Sequence, residues 1–185
     1  MVTLTVRPTG DSAVAGGIYA LWNQADAIAA PFAQYIDEEV ADDADYIRPQ
    51  AIGAHGVFAM GTEIPDGATD ISLTVYGRFG AEAATTYPFR FRLDPNANDP
   101  TSKWESADKA CAGVGAVEEF SNVWATNPAG GAWTPATANA TQMGVSLDKH
   151  PSTAQYHYCT QLWGVWTYTP AAPAAAFIPQ VRVSP

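Results

Sequence analysis

Charge is what this sequence has least of. Only 15% of its 185 residues are Asp, Glu, Lys or Arg, against roughly 25% in a typical soluble chain. The surface therefore has to be built largely from Thr, Ser, Asn, Gln, Gly and Ala. Basic residues are scarcer still: nine Lys and Arg stand against nineteen Asp and Glu, for a net charge of −10. Binding to nucleic acid or to an anionic membrane draws on clustered cations. The few here are scattered, so neither partner is expected. Cysteine is limited to Cys111 and Cys159, too few for a zinc site and without redox spacing. A disulfide and two separate buried thiols both remain open. Long apolar runs are missing too, and Met1–Val6 has no basic region followed by an apolar stretch. Neither a signal peptide nor membrane insertion is expected.

Chemistry-bearing motifs are equally sparse. The chain has no Gly-x-Ser-x-Gly elbow, no phosphate-cradling glycine loop and no dinucleotide fingerprint. His55, His150 and His157 form no HxH or HExxH pair. The residues nominate no catalytic, cofactor-binding or metal-binding set, and a non-enzyme with no cofactor is expected.

What the chain does have is alternation. Val2, Leu4 and Val6 interleave with Thr3 and Thr5, which predicts a strand with the apolar set buried. Gly56–Gly61 predicts another. Ile71, Leu73, Val75, Gly77 and Phe79 share one face of a strand, and Ser72, Thr74, Tyr76 and Arg78 share the other. Phe89, Phe91 and Leu93 point inward on the next, with Arg90 and Arg92 outward. Tyr156, Tyr158, Thr160, Leu162, Gly164, Trp166 and Tyr168 line one face of a long run ending at Thr169. Trp104–Ala112 and Val114–Trp124 are ambiguous, the latter with helix-like spacing of Val117, Phe120, Val123 and Trp124; Ala138–Met143 suits one helical turn. Short strands between Gly/Pro turns, with little helix, predict an all-β chain. The expected fold is an antiparallel β-sandwich, one domain over residues 1–185, with long Gly/Pro-rich loops.

The most distinctive local pattern is acidic. Asp37, Glu38, Glu39, Asp42, Asp43 and Asp45 sit between Tyr35-Ile36 and Tyr46-Ile47. Six carboxylates cannot all be buried unpaired. The expectation is a short strand, an exposed acidic turn and the start of a second strand, with the Tyr-Ile pairs as anchors. Asp and Glu oxygens suit calcium, but the spacing is not that of a calcium loop, and a solvated turn is favoured.

Taken in order, these features carry a resemblance. They are the N-terminal strand into Pro8-Thr9-Gly10, Trp22, Asp37-Glu38 with Asp42–Ile47, and the Ile71–Phe79 strand. The Trp124–Trp133 turn, Gly144-Val145 and the Thr160–Tyr168 strand complete the set. The set resembles a family of small virion structural proteins of tailed bacteriophages. The resemblance covers nearly the whole chain; the Ala/Pro segment before the last strand departs from it. It implies a jelly-roll-like sandwich acting without catalysis as a head-decoration, spike or minor tail component. It implies other virion proteins, capsid or tail, as docking partners, a homo-oligomer, and a location in the virion after assembly in the host cytoplasm. The alternative is a carbohydrate-binding module contacting a host glycan. Trp163 and Trp166 have opposite parity on the last long strand, so at least one is expected to face outward, where it can stack on a sugar or enter a partner's pocket. Together with Asp37, Glu38, Asp42, Asp43 and Asp45 they are the interaction candidates.

Overall fold

A computed structural model describes residues 1–11, 22–23, 36–37, 39–40, 46–49, 54–82, 88–94, 104–147 and 157–172. In chain order its elements are β1 (Val2–Val6), β2 (Gly10–Asp11), β3 (Trp22–Asn23), β4 (Arg48–Pro49), β5 (Ala54–Ala59), β6 (Thr69–Ala81), β7 (Phe89–Asp94), β8 (Trp104–Glu105), β9 (Val117–Trp124), α1 (Pro135–Ala140), β10 (Gln142–Leu147) and β11 (His157–Thr169).

Every strand pair is antiparallel. One sheet has the order β1-β11-β6-β9 and the other β2-β5-β10-β7-β8; β3 and β4 form a separate ribbon. With the short β2, β3 and β4 set aside, the chain crosses between the two sheets at every step except β7 to β8. Two interlocked Greek keys of this kind make a jelly roll. The fold is an all-β, two-sheet antiparallel sandwich, as the alternation predicts, with one short helix among the described residues.

The inner faces supply the core. Leu73, Val75, Phe79, Leu162 and Trp166 from the first sheet meet Phe58, Phe89, Phe91, Leu93, Met143 and Val145 from the second. Phe79 and Phe89 stack at 3.9 Å between centroids, and Phe120 meets both edge-on. Trp133 packs T-shaped on Trp166 at 5.1 Å and donates its Nε1–H to the Trp124 carbonyl. The helix starts just after it: Thr134 and Thr137 close a reciprocal capping box, and Pro135 needs no N–H in the first turn. It therefore occupies Pro135–Ala140, earlier than the Ala138–Met143 turn expected.

Several sequence readings are corrected. Val114–Trp124 is mostly strand: its helix-like spacing reflects an edge strand with apolar residues on both its exposed and its half-buried face. Trp104–Ala112 holds only the two-residue β8. Val2 is exposed, because the start of β1 projects past the core. Ile36 lies in a bend rather than a strand. The face assigned to β11 fails at its first half. Pairing with β6 shifts between Cys159 and Gln161, and this bulge inserts Thr160 and reverses the alternation. His157 and Cys159 are buried with Leu162 and Trp166, whereas Tyr158 turns to the other face and packs at a tilt against Tyr46, 4.8 Å between ring centroids. Arg92, expected outward, is 2% exposed. The outer face of the second sheet is enclosed at its centre, where Val57, Gly144 and Asp94 are also buried. There the Arg92 Nη2 donates to Asp94 Oδ2 at 3.3 Å.

Gly144 lies in the middle strand of the second sheet, opposite Val57 and Arg92. A Cβ there would overlap the Gly56 carbonyl oxygen and crowd Val57 Cα. The obstacle is backbone, which cannot swing aside. Gly144→Ala is expected to cost at or above the upper end of the roughly 1–3 kcal/mol typical of overpacking. Urea denaturation checks this; an unchanged midpoint would contradict the packing described for β5 and β10.

Candidate docking surface

The outer face of the first sheet is set by the register. One row runs Thr3, Thr167, Ser72; the next runs Thr5, Val165, Thr74, Val123; the third runs Trp163, Tyr76, Ser121. Thr3, Thr5, Ser121 and Val123 are exposed and the others half-buried. None of these ten residues carries a charge. Arg78 and Glu119 sit opposite one another at one end of the face, and Arg7 lies beside Trp163. On a chain of net charge −10 this is a neutral, hydroxyl-rich surface.

Trp163 is held in a stack. Tyr76, from β6, lies parallel to it at 5.2 Å and 6°. The Arg7 guanidinium, just past β1, lies 5.9 Å from the indole centre. Because β1 and β6 flank β11 on opposite sides, both faces of the indole are occupied, one by an aromatic ring and one by a cation. Only its edge is offered to a partner. Trp166 has no surface to offer at all: it is fully buried in the core. The parity argument thus separates the two tryptophans, Trp163 outward and Trp166 inward.

The acidic segment is anchored where β1 stops. β1 covers β11 from Gly164 to Tyr168. Beyond that, Leu162 N–H donates to the Ile36 carbonyl, and Ile47 exchanges two backbone hydrogen bonds with Cys159. Ile36 and Ile47 are fully buried. The two isoleucines therefore act as anchors on the sheet edge, and they bring the ends of the acidic segment together. Asp37 is half-buried, while Glu39 and Val40 are exposed. Glu38, Asp42, Asp43 and Asp45 lie outside the described residues. Among the described residues no group of three or more His, Cys, Asp or Glu is placed to hold a metal ion.

Two features escaped the sequence reading. One is the buried Arg92–Asp94 pair. The other is a polar cluster on the second sheet's outer face: Arg90 pairs with Asp108 and approaches Glu105 at 3.9 Å, and Ser146 Oγ donates to Glu105 Oε1 at 2.6 Å. The opposite-sign residues of β7 and the stretch Glu105–Asp108 are visible in the sequence, but their pairing is not.

The cysteines are two free thiols. Cys111 Sγ donates to the Phe79 carbonyl and Cys159 Sγ to the Gln161 carbonyl, each at 3.3 Å. The Cys111 N–H donates to Nε2 of the buried His157. Burial, and then the nearby Glu118 carboxylate, push the Cys111 thiol up to about 12. A raised value favours the neutral thiol in the fold, so this contribution to stability is complete below the unfolded value of 9.0 and is lost as pH rises from there towards 12. Comparison with protein-family models and with curated proteins finds no match to this chain.

Cys111 is therefore expected to be a poor nucleophile despite its partial exposure. Iodoacetamide at pH 8 should label the native protein far more slowly than the denatured one. Labelling of Cys111 at the rate of an unhindered thiol would contradict the environment described.

Proposed function

We propose that this protein is a non-enzymatic structural component of a phage-like virion, docking on other virion proteins through the outer face of its first sheet. The observation that carries the reading is the neutral face of Thr, Ser and Val rows bordered by the Arg7–Trp163–Tyr76 stack. Docking such a face strips water from hydroxyls and methyls rather than from ions, which keeps the desolvation cost low. The stack is already ordered, so its contact loses little side-chain entropy on binding. Jelly rolls serve in viral capsids and also in lectins and cupins, so the fold supports this reading without deciding it. The ordered sequence resemblance favours the virion. Many copies on one particle would hold by avidity even where each contact is weak.

The glycan-binding reading has less support. A sugar ring binds an aromatic through its flat face, and both faces of Trp163 are taken. Trp166, the other candidate for that role, is in the core.

Two measurements test the proposal. Mass spectrometry of gradient-purified particles should find the protein in fixed ratio to the major capsid or tail protein. Thr74→Arg, at the centre of the docking face, should leave the melting curve nearly unchanged and cut incorporation at least tenfold, as roughly 1.4 kcal/mol lost per contact would do. Clean particles lacking the protein, or normal incorporation of Thr74→Arg, would overturn the proposal.

A further inference from the structure

We infer that His157 is an acid-sensitive latch: its neutral imidazole holds the connection between β8 and β9 against the first sheet, and protonation releases that connection while the two sheets stay paired. The connection is tied at successive points. The Ser106 N–H donates to the Phe91 carbonyl, and Lys109 exchanges two backbone hydrogen bonds with Phe89, which fastens it to the second sheet. The Gly115 N–H donates to the Ala81 carbonyl of the first sheet. Between these points the Cys111 N–H donates to Nε2 of His157 at 3.2 Å, and Cys111 Sγ donates to the Phe79 carbonyl. His157 is fully buried on β11, opposite Ala81, with its ring edge-on to Phe89 at 5.2 Å. The connection thus bridges the two sheets, and His157 is its side-chain tie to β11.

A ring nitrogen that accepts an N–H carries no proton, so the closed arrangement holds the imidazole neutral. Protonating Nε2 would set two N–H groups against each other and leave a charge in the core. The groups around the ring do not reverse this. On β11 itself, Cys159 is a buried thiol. On β6 the opposing residue is Ala81, and Glu82 beyond it is exposed. On β7 the contact is Phe89, and Arg90 beside it pairs with Asp108 of the connection. Lys109 lies over the Phe91 ring. On β9, Glu118 accepts the Ala112 N–H. Its charge favours an imidazolium, whereas full burial and the Cys111 bond both favour the neutral ring. The latch is therefore complete above the ordinary imidazole value of about 6.5 and weakens as pH falls below it. Release costs little elsewhere, because the ladder between β6 and β11 continues from Cys159 to Thr169 without the connection. The inference stands apart from the virion reading, since it concerns the isolated protein.

Native-state hydrogen exchange of the purified protein, corrected for the intrinsic pH dependence of exchange, tests this. Between pH 7.5 and pH 5.5 the Cys111 amide should lose about tenfold in protection, the change set by a group that titrates near 6.5 only when released. The Leu73 and Val75 amides should keep theirs. His157→Gln retains an acceptor for the Cys111 N–H but does not titrate, and its Cys111 amide should be equally protected at both pH values. If that variant does not fold, ring titration of the unaltered protein by NMR decides: the His157 imidazolium should appear together with the loss of Cys111 protection. Unchanged protection of Cys111, a loss shared equally by Leu73 and Val75, the same loss in His157→Gln, or a ring that charges while Cys111 stays protected would overturn the inference. None of these outcomes bears on whether particles contain the protein, so the two proposals can fail separately.

Discussion

The rest of the structure depends on the ladder between β6 and β11. These are the two longest strands, thirteen residues each, and they lie side by side at the centre of the first sheet. Every other part of that sheet is attached to one of them: β1, Ile36 and Ile47 to β11, and β9 to β6. Their inward residues, Leu73, Val75, Phe79, Leu162 and Trp166, form one wall of the core on which the second sheet packs. The pairing joins residues about ninety positions apart, so it closes a long loop before it is rewarded by contacts. What offsets that cost is continuous apolar burial on the inner side.

The two sheets treat their outer faces in opposite ways, and this difference directs the functional reading. The first presents hydroxyls, methyls and a locked aromatic stack. The second encloses Val57, Gly144 and the Arg92–Asp94 pair. A buried ion pair of this kind adds little net stability, because desolvation cancels most of the attraction, but removing either partner strands the other. The second outer face is thus committed to the chain's own structure. The first is left available, and its neutrality makes it a low-cost place to dock on an otherwise acidic molecule.

How much of this could be read from the sequence depended on whether a strand has one wet and one dry face. β6 does, and all five of its inward residues from Ile71 to Phe79 were legible. β7 does not, because both faces are covered at Arg92, so alternation placed that arginine on the wrong side of the solvent boundary. β11 alternates in composition throughout, yet the Thr160 bulge shifts the pattern by one, and no residue type announces a bulge there. β9 has one exposed and one half-buried face, with apolar residues on both, and so mimicked a helix. The strand order of the jelly roll was out of reach of local pattern, since β1 pairs with β11 across most of the chain and β5 with β10 across about half of it. The acidic segment is the most distinctive pattern in the sequence because six carboxylates fall in so short a stretch. What matters in it is two isoleucines that extend the edge of β11. Of the candidate tryptophans, parity identified that they part company but not which one faces out; the pairing of Trp166 with the core residue Leu73 decides that.

The central claim is that stability concentrates in the β6–β11 ladder, and native-state hydrogen exchange measured strand by strand tests it most directly. The account predicts that amides of Ile71–Phe79 and of Leu162–Trp166 exchange most slowly, at the rate set by global unfolding, and that the edge strands β1 and β9 exchange faster. Slowest exchange in the second sheet, with the central β6 and β11 amides opening as readily as the edges, would contradict it.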